Sequence, residues 1–316
     1  SMSSIERHAL IRSLARLSLA WLLLWPAAGL AAPTVTVLLS EPGGWYREVA
    51  DALAARLEAA GLDWKLNLRL ISDVAPTEPD ALIVPIGLKA FRAAIAVPTT
   101  APVWALMVPR DTVDGLMSAL PPQRRARIGA LYLDQPLVRY MHLIQAAQPQ
   151  VRRIGVLFGP HSEKQSEALA DAARQAGLIL VGESIDAPER LIPALDLLRG
   201  RVDLLLLLPD PLVASRASLQ VLLLRTYQMR LPVVGYSMQL IEAGATLALY
   251  STPAQIGEEA ALRIIEAARR GSLRVPASGF PRHYDLAVNR SVAVSLGLRV
   301  PVREDLRARM DKEMSP

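Results

Sequence analysis

Cysteine is absent from all 316 residues. Disulfide cross-links and thiol nucleophiles are thereby excluded, and the fold must be held by burial, for which a composition that is 52% hydrophobic suffices. Histidine is scarce. His8, His142, His161 and His283 are far apart along the chain, so a metal site built from them would require the fold to bring them together. His142, on a predicted helix, reads as a packing residue with its hydrogen bonds satisfied. The phosphate-binding patterns G-x-G-x-x-G and the P-loop are missing, as are H-E-x-x-H and G-x-S-x-G. No cofactor is implied, and no nucleophile with its base marks an enzyme. The basic clusters Arg124-Arg125-Arg127 and Arg269-Arg270 lack interleaved aromatics. Phosphate backbones call for a continuous positive stripe, so nucleic acid is not an expected partner, and both clusters read as solvated helix ends.

What is present begins at the N-terminus. Arg7, Arg12 and Arg16 precede an uncharged run from Leu17 to Leu30 that closes in Ala31-Ala32 before Pro33. Basic residues, a short apolar core and small side chains at a cleavage point form a secretory leader, residues 1–32. Breaks at Pro26 and Gly29 leave the run short of the roughly 20 apolar residues that cross a bilayer. The competing reading is an uncleaved N-terminal anchor. Of the formal +5 charge, the leader's three Arg and one Glu carry +2, leaving about +3 on residues 33–316. A lipoprotein would need a cysteine after its leader, so the expected form is a free periplasmic monomer. Residues 33–316 suit two α/β lobes better than one core.

Thr34 to Ser40 is short, apolar and β-branched; a turn follows at Pro42-Gly43-Gly44, then a predicted helix from Trp45 to Ala60 stopped by Gly61. The unit recurs as a strand from Arg153 to Phe158, a turn at Gly159-Pro160, a helix from Ser162 to Ala176 stopped by Gly177, and a strand from Leu178 to Val181. Asp80 to Pro85 then resembles Asp203 to Pro209, and Pro102 to Leu106 resembles Pro232 to Tyr236. Consecutively apolar strands such as Leu204 to Leu208 need cover on both faces, the mark of a parallel sheet between helices. The expected fold class is α/β, with two doubly wound parallel-sheet lobes in tandem and a cleft and hinge between them. Ser162 with Gln165 has capping-box spacing, and Thr252, Pro253 and Gln255 supply N-cap, N1 and N3 residues of a helix running to Arg270. Ser272 to Pro281 reads as a connector. The tail reads as a strand from Tyr284 to Asn289, a short helix from Ser291 to Gly297, and a loose end.

Ligands of open parallel sheets bind outside the carboxyl ends of the strands. From the first lobe the candidates there are Ser40, Glu41, Gly87, Lys89 and Arg110. The second offers Phe158, Ser162, Ser166, Asp210, Tyr236 and Ser237. Ser162 and Ser166, at a helix start, suit a ligand anion such as a carboxylate, although Ser162 also fits a plain N-cap. Asp210, between two prolines, could meet a ligand ammonium or simply form a turn.

The C-terminal half resembles the substrate-binding proteins of bacterial ABC transporters, in the branch that includes tryptophan and tyrosine binders. The resemblance is carried by Arg153 to Ser166, where Ser162, Glu163 and Ser166 match the family's turn and Gln165 replaces an asparagine. Pro209-Asp210, Pro232 to Ser237, Gly244-Ala245, Tyr284 to Asn289 and Leu296 to Leu298 add to it, within residues 135–306. The first half departs from the pattern at Glu41 to Tyr46, at Gly87-Leu88 and at Pro109 to Asp111. The resemblance implies the type I periplasmic binding protein fold with three crossovers. It assigns residues 33–132 plus 251–282 to lobe 1, residues 133–250 plus 283–316 to lobe 2, and a hinge to Tyr132–Asp134 and Leu249–Ser251. It further implies capture of a small ligand, an amino acid or small carboxylate, by hinge closure, and delivery to a membrane permease. The altered first lobe raises an alternative, an extracytoplasmic sensor or accessory protein that kept the fold and lost the transport ligand.

Overall fold

Strands apolar at every position demand a helical layer on each face, and the computed structural model, which describes residues 33–62, 64–73, 82–270 and 275–314, has that arrangement twice. Residues 1–32, where a leader is expected, lie outside the described residues, as do Asp80, Gly271 and the start of the connector. The first sheet holds β1 (Thr34–Leu39), β2 (Lys65–Leu70), β3 (Leu82–Ile86), β4 (Val103–Val108) and β5 (Ile128–Tyr132), all parallel, in the order β2-β1-β3-β4-β5. Its helices are α1 (Gly44–Ala59), α2 (Leu88–Ala96), α3 (Arg110–Ser118) and the short α4 (Pro122–Arg125).

After α5 (Leu137–Ala147) the second sheet repeats this order. β6 (Arg153–Phe158), β7 (Ile179–Ser184), β8 (Leu204–Leu206), β9 (Val233–Gly235) and β10 (Leu247–Tyr250) run β7-β6-β8-β9-β10, and β11 (Asp285–Val288) adds an antiparallel edge. Between these strands lie α6 (Ser166–Gln175), α7 (Leu191–Leu197), α8 (Arg216–Gln228) and α9 (Met238–Ala243). α10 (Pro253–Arg269), α11 (Arg290–Ser295) and α12 (Arg303–Met314) complete the chain. The two α/β lobes are thus topological copies. The backbone passes between the sheets three times: after β5, after β10 and before β11.

The leucine run shows why every position is apolar. Leu204, Leu206 and Leu208 face the layer of α5, α6 and α12, whereas Leu205 and Leu207 face α7, α8 and α9. In the first sheet, Val35, Val37 and Leu39 face α1 and α10, and Leu38, Val103 and Ala105 face α2 and α3. α1 and α10 touch closely because Gly257 has no side chain. A Cβ there would lie 2.6 Å from both the Ala52 Cβ and the Val49 carbonyl oxygen.

The Thr252–Gln255 capping box forms as expected, each side chain bonding the other residue's backbone N–H. Four expectations need correction. Ser162 caps no long helix: a 3-10 turn (Glu163–Gln165) intervenes, and α6 begins only at Ser166. The tail is not loose, since α12 buries Leu306 and Met310 completely in the second core. Arg124 and Arg127 are not merely solvated. Arg124 donates to the carbonyls of Ile95, Val97 and Thr99, satisfying the end of α2, and Arg127 donates to Thr100. His142 is half-buried on α5, and its Nδ1 has no hydrogen-bond partner. Among the described residues no helix is long and apolar enough to cross a membrane.

Candidate functional site

The carboxyl ends of strands from both sheets meet at a cleft of about 330 Å³. After β1 come Glu41, Gly43 and the first residues of α1, Gly44, Trp45 and Tyr46; β4 contributes Met107, and Leu133 follows β5. From the second sheet, Tyr236, Ser237 and Gln239 follow β9, while Tyr250 ends β10 and Ser251 follows it. The Trp45 and Tyr250 rings approach to 6.5 Å between centroids, tilted by 51°, so the two sheets contribute one aromatic face each.

The chain turns inward here for local reasons. Gly44 sits at φ +62, a left-handed value that glycine adopts without cost, and α1 starts with no side-chain cap and no acidic residue in its first turn. Its N–H groups are therefore left to solvent or a ligand. Glu41 accepts a hydrogen bond from the Lys89 ammonium at 3.0 Å, an exposed pair that holds the Lys89 pKa above its usual value. Burial first, and then the Glu41 charge, raises the Tyr46 hydroxyl pKa. Burial, with Asp210 and Asp134 nearby, pushes Tyr236 up to about 12. Both phenols stay neutral and available as donors. Ser237 caps α9 by accepting from the Leu240 N–H at 3.4 Å.

Of the sequence-predicted residues, Glu41, Tyr236 and Ser237 line this cleft. Ser40 lies just behind it, buried. Its hydroxyl donates to the Ile86 carbonyl at 2.8 Å and accepts from the Ala90 N–H at 2.9 Å, capping α2. Gly87 leaves room for it, because a Cβ there would lie 2.6 Å from the Ser40 Oγ. Arg110 faces Asp111 and the Phe280 ring. Phe158 is a core residue, its ring packed over Gly182.

Ser162 and Asp210 form a separate buried cluster at the ends of β6 and β8. The Asp210 carboxylate accepts from the N–H groups of His161, Ser162, Leu212 and Val213 and from the Ser162 hydroxyl. The same hydroxyl accepts from the Gly159 N–H at 2.9 Å. Burial would raise the Asp210 pKa, yet these bonds hold it below the ordinary value. The carboxylate is thus occupied in organising its own turn. Ser166 begins α6 beside this cluster and does not line the cleft.

Sequence reasoning did not single out Trp45, Met107, Leu133, Gln239, Tyr250 or Ser251 as cleft residues. Trp45 and Tyr46 carried a usable signal, an aromatic pair straight after the strand-ending glycine turn. Met107 carried none.

The sequence matches a known family over residues 78–312, and the chain belongs to it: the ABC transporter substrate binding proteins. Among solved structures, a ligand-free, open substrate binding protein with adhesive properties from Clostridium difficile is similar at 17% identity, over 87% of this chain and 98% of that one, with TM-score 0.68. A conserved domain protein from Vibrio cholerae O1 biovar El Tor is similar at 20% identity over 88% and 98%, TM-score 0.62. An ABC domain from Streptococcus pneumonia in complex with L-Trp is similar at 16% over 87% and 98%, TM-score 0.62. At such identities the likeness is one of fold, that of the type I periplasmic binding proteins. No protein of curated function matches the sequence.

Proposed function

We propose that this chain is the solute receptor of an ABC importer, exported by its N-terminal leader, which captures a small ligand in the cleft and presents the closed form to a membrane permease. The observation that carries the reading is the position of the cleft, lined by residues at the carboxyl ends of strands in two topologically equivalent sheets and by the turns and helix starts that follow those strands. Three backbone crossings permit the lobes, residues 33–132 plus 251–282 and residues 133–250 plus 283–316, to close about a hinge near Tyr132–Asp134 and Leu249–Ser251. A ligand that touches both lobes stabilises the closed form by its differential affinity. Aromatic rings on both sides, free N–H groups at the start of α1 and neutral phenols favour an amino acid or a small carboxylate with an apolar body.

The protein works as a monomer, binds no nucleic acid and catalyses nothing in this reading. Thermal denaturation and native mass spectrometry against the proteinogenic amino acids and short carboxylates test it. We expect a small set of ligands to raise Tm, and Trp45→Ala to abolish the shift while leaving the unliganded Tm nearly unchanged. A flat response across the panel overturns the reading. A second reading, a sensor or accessory protein, draws on the Glu41–Lys89 pair, whose charges are spent on each other. Capture of a receptor ectodomain rather than a permease, with that flat response, favours it.

A further inference from the structure

The strand β4 carries one residue too many. Leu106 pairs with Leu131 and Val108 with Tyr132, so Met107 has no partner in the register. Its φ is +57, in the left-handed region that favours glycine. Among the described residues Arg230 is the other non-glycine at positive φ, but it follows α8, where a left-handed residue is an ordinary helix terminator. Met107 has no such excuse inside a sheet.

The bulge has a geometric consequence. Trp104 and Leu106 face α1 and α10, whereas Val103, Ala105 and Val108 face α2 and α3. Simple alternation would turn Met107 to the α2 side. The extra residue keeps it on the α1 side, where it lines the cleft together with Tyr46 and Leu133. A strained backbone that persists at a binding cleft, and re-aims one side chain into it, is a specificity feature by its placement.

We propose that Met107 is the specificity-determining floor of the cleft, a flexible thioether that contacts the apolar part of the ligand and sets how deep that part can reach. This rests on the solute-receptor reading given above. Methionine suits such a position because its unbranched, polarisable side chain adapts to the group placed against it.

The test compares Met107→Gly, Met107→Ala and Met107→Leu with wild type, using L-tryptophan, L-phenylalanine and L-leucine as calorimetric probes. Glycine relieves the backbone and alanine does not, so the Gly variant should melt about 2–4 °C above the Ala variant, the reverse of their usual order in a strand. Both should lose affinity for a bound probe by about tenfold or more, and leucine should recover most of it while changing the ranking of the three probes. A Gly variant that binds as wild type does, or that melts no higher than the Ala variant, overturns the assignment alone. Wild type that binds no probe and carries nothing in its native mass spectrum counts against solute capture, and against Met107 as its selector with it.

Discussion

Asp134 is the residue whose surroundings conflict most. Its Oδ2 accepts the Arg110 N–H at 2.5 Å, supplying α3 with the cap that Pro109 cannot give, while Oδ1 is buried without a partner. Burial pushes its pKa from 3.8 to about 6, against the opposing pull of the Arg110 hydrogen bond and guanidinium; Asp111 adds to the rise. Tyr140 and Tyr236 feel its charge. The raised value fixes the sign of the pH effect. Below about pH 4 the carboxyl is neutral in both folded and unfolded chains. As pH rises from about 4 to 6 the unfolded chain ionises first, so stability falls across that window by up to about 3 kcal/mol and then levels off. Asp134→Asn should flatten this segment of the stability-versus-pH curve; an unchanged slope in denaturant titrations at pH 4.5 and 7 would refute the assignment. At Gly159, an added Cβ would stand 2.2 Å from the Asp210 Oδ1. Gly159→Ala is therefore expected to displace the carboxylate and destabilise the protein by about 1–3 kcal/mol, the cost of freeing a buried acceptor, measurable by urea unfolding.

Elements are fixed by their ends and by their closest contacts. Thr252 and Gln255 close the start of α10, and Thr252→Ala should cost about 1 kcal/mol in chemical denaturation. The α1 and α10 contact at Gly257 is far less tolerant. Gly257→Val would drive side-chain atoms into Val49 and Ala52, so the helices must separate and a fall in Tm of many degrees is expected in a thermal scan. α12 is the element that composition hides. Its sequence is strongly polar, and among its described side chains Leu306 and Met310, four residues apart, are the ones fully buried. Leu306→Ala should cost about 2–5 kcal/mol, and a surface-like loss below 0.5 kcal/mol would contradict the docking of this helix.

At the scale of the whole molecule, the three crossings are tied together. The Gln135 amide donates to the Ser251 hydroxyl at 2.9 Å, Ser251 donates to the His283 carbonyl at 2.6 Å, and Arg139 bonds both Gln135 and the Pro281 carbonyl. On the proposed solute-receptor reading, closure about a hinge here would move the crossings as one unit. Small-angle scattering should show a smaller radius of gyration once a Tm-raising ligand is added, and Gln135→Ala should broaden the unliganded distribution of inter-lobe distances between paired spin labels. Identical scattering with and without a ligand that binds would rule out closure.

Much of this molecule is legible from one dimension. Thr34 to Ser40, Arg153 to Phe158 and the leucine run could be assigned because full burial leaves an unbroken apolar signature, and the doubled strand-turn-helix pattern gave two sheets of one topology. Local rules also reached Glu41, Tyr236 and Ser237, since the carboxyl end of a strand is a position in sequence as well as in space. Tertiary structure alone decided the rest. Asp210 and Ser162 bond each other across 48 residues rather than facing the cleft. A bulge, set by pairing with β5, turned Met107 inward. Residue type encodes what a side chain prefers; which neighbour satisfies it depends on strand register and close approach, and these exist only once distant segments have packed.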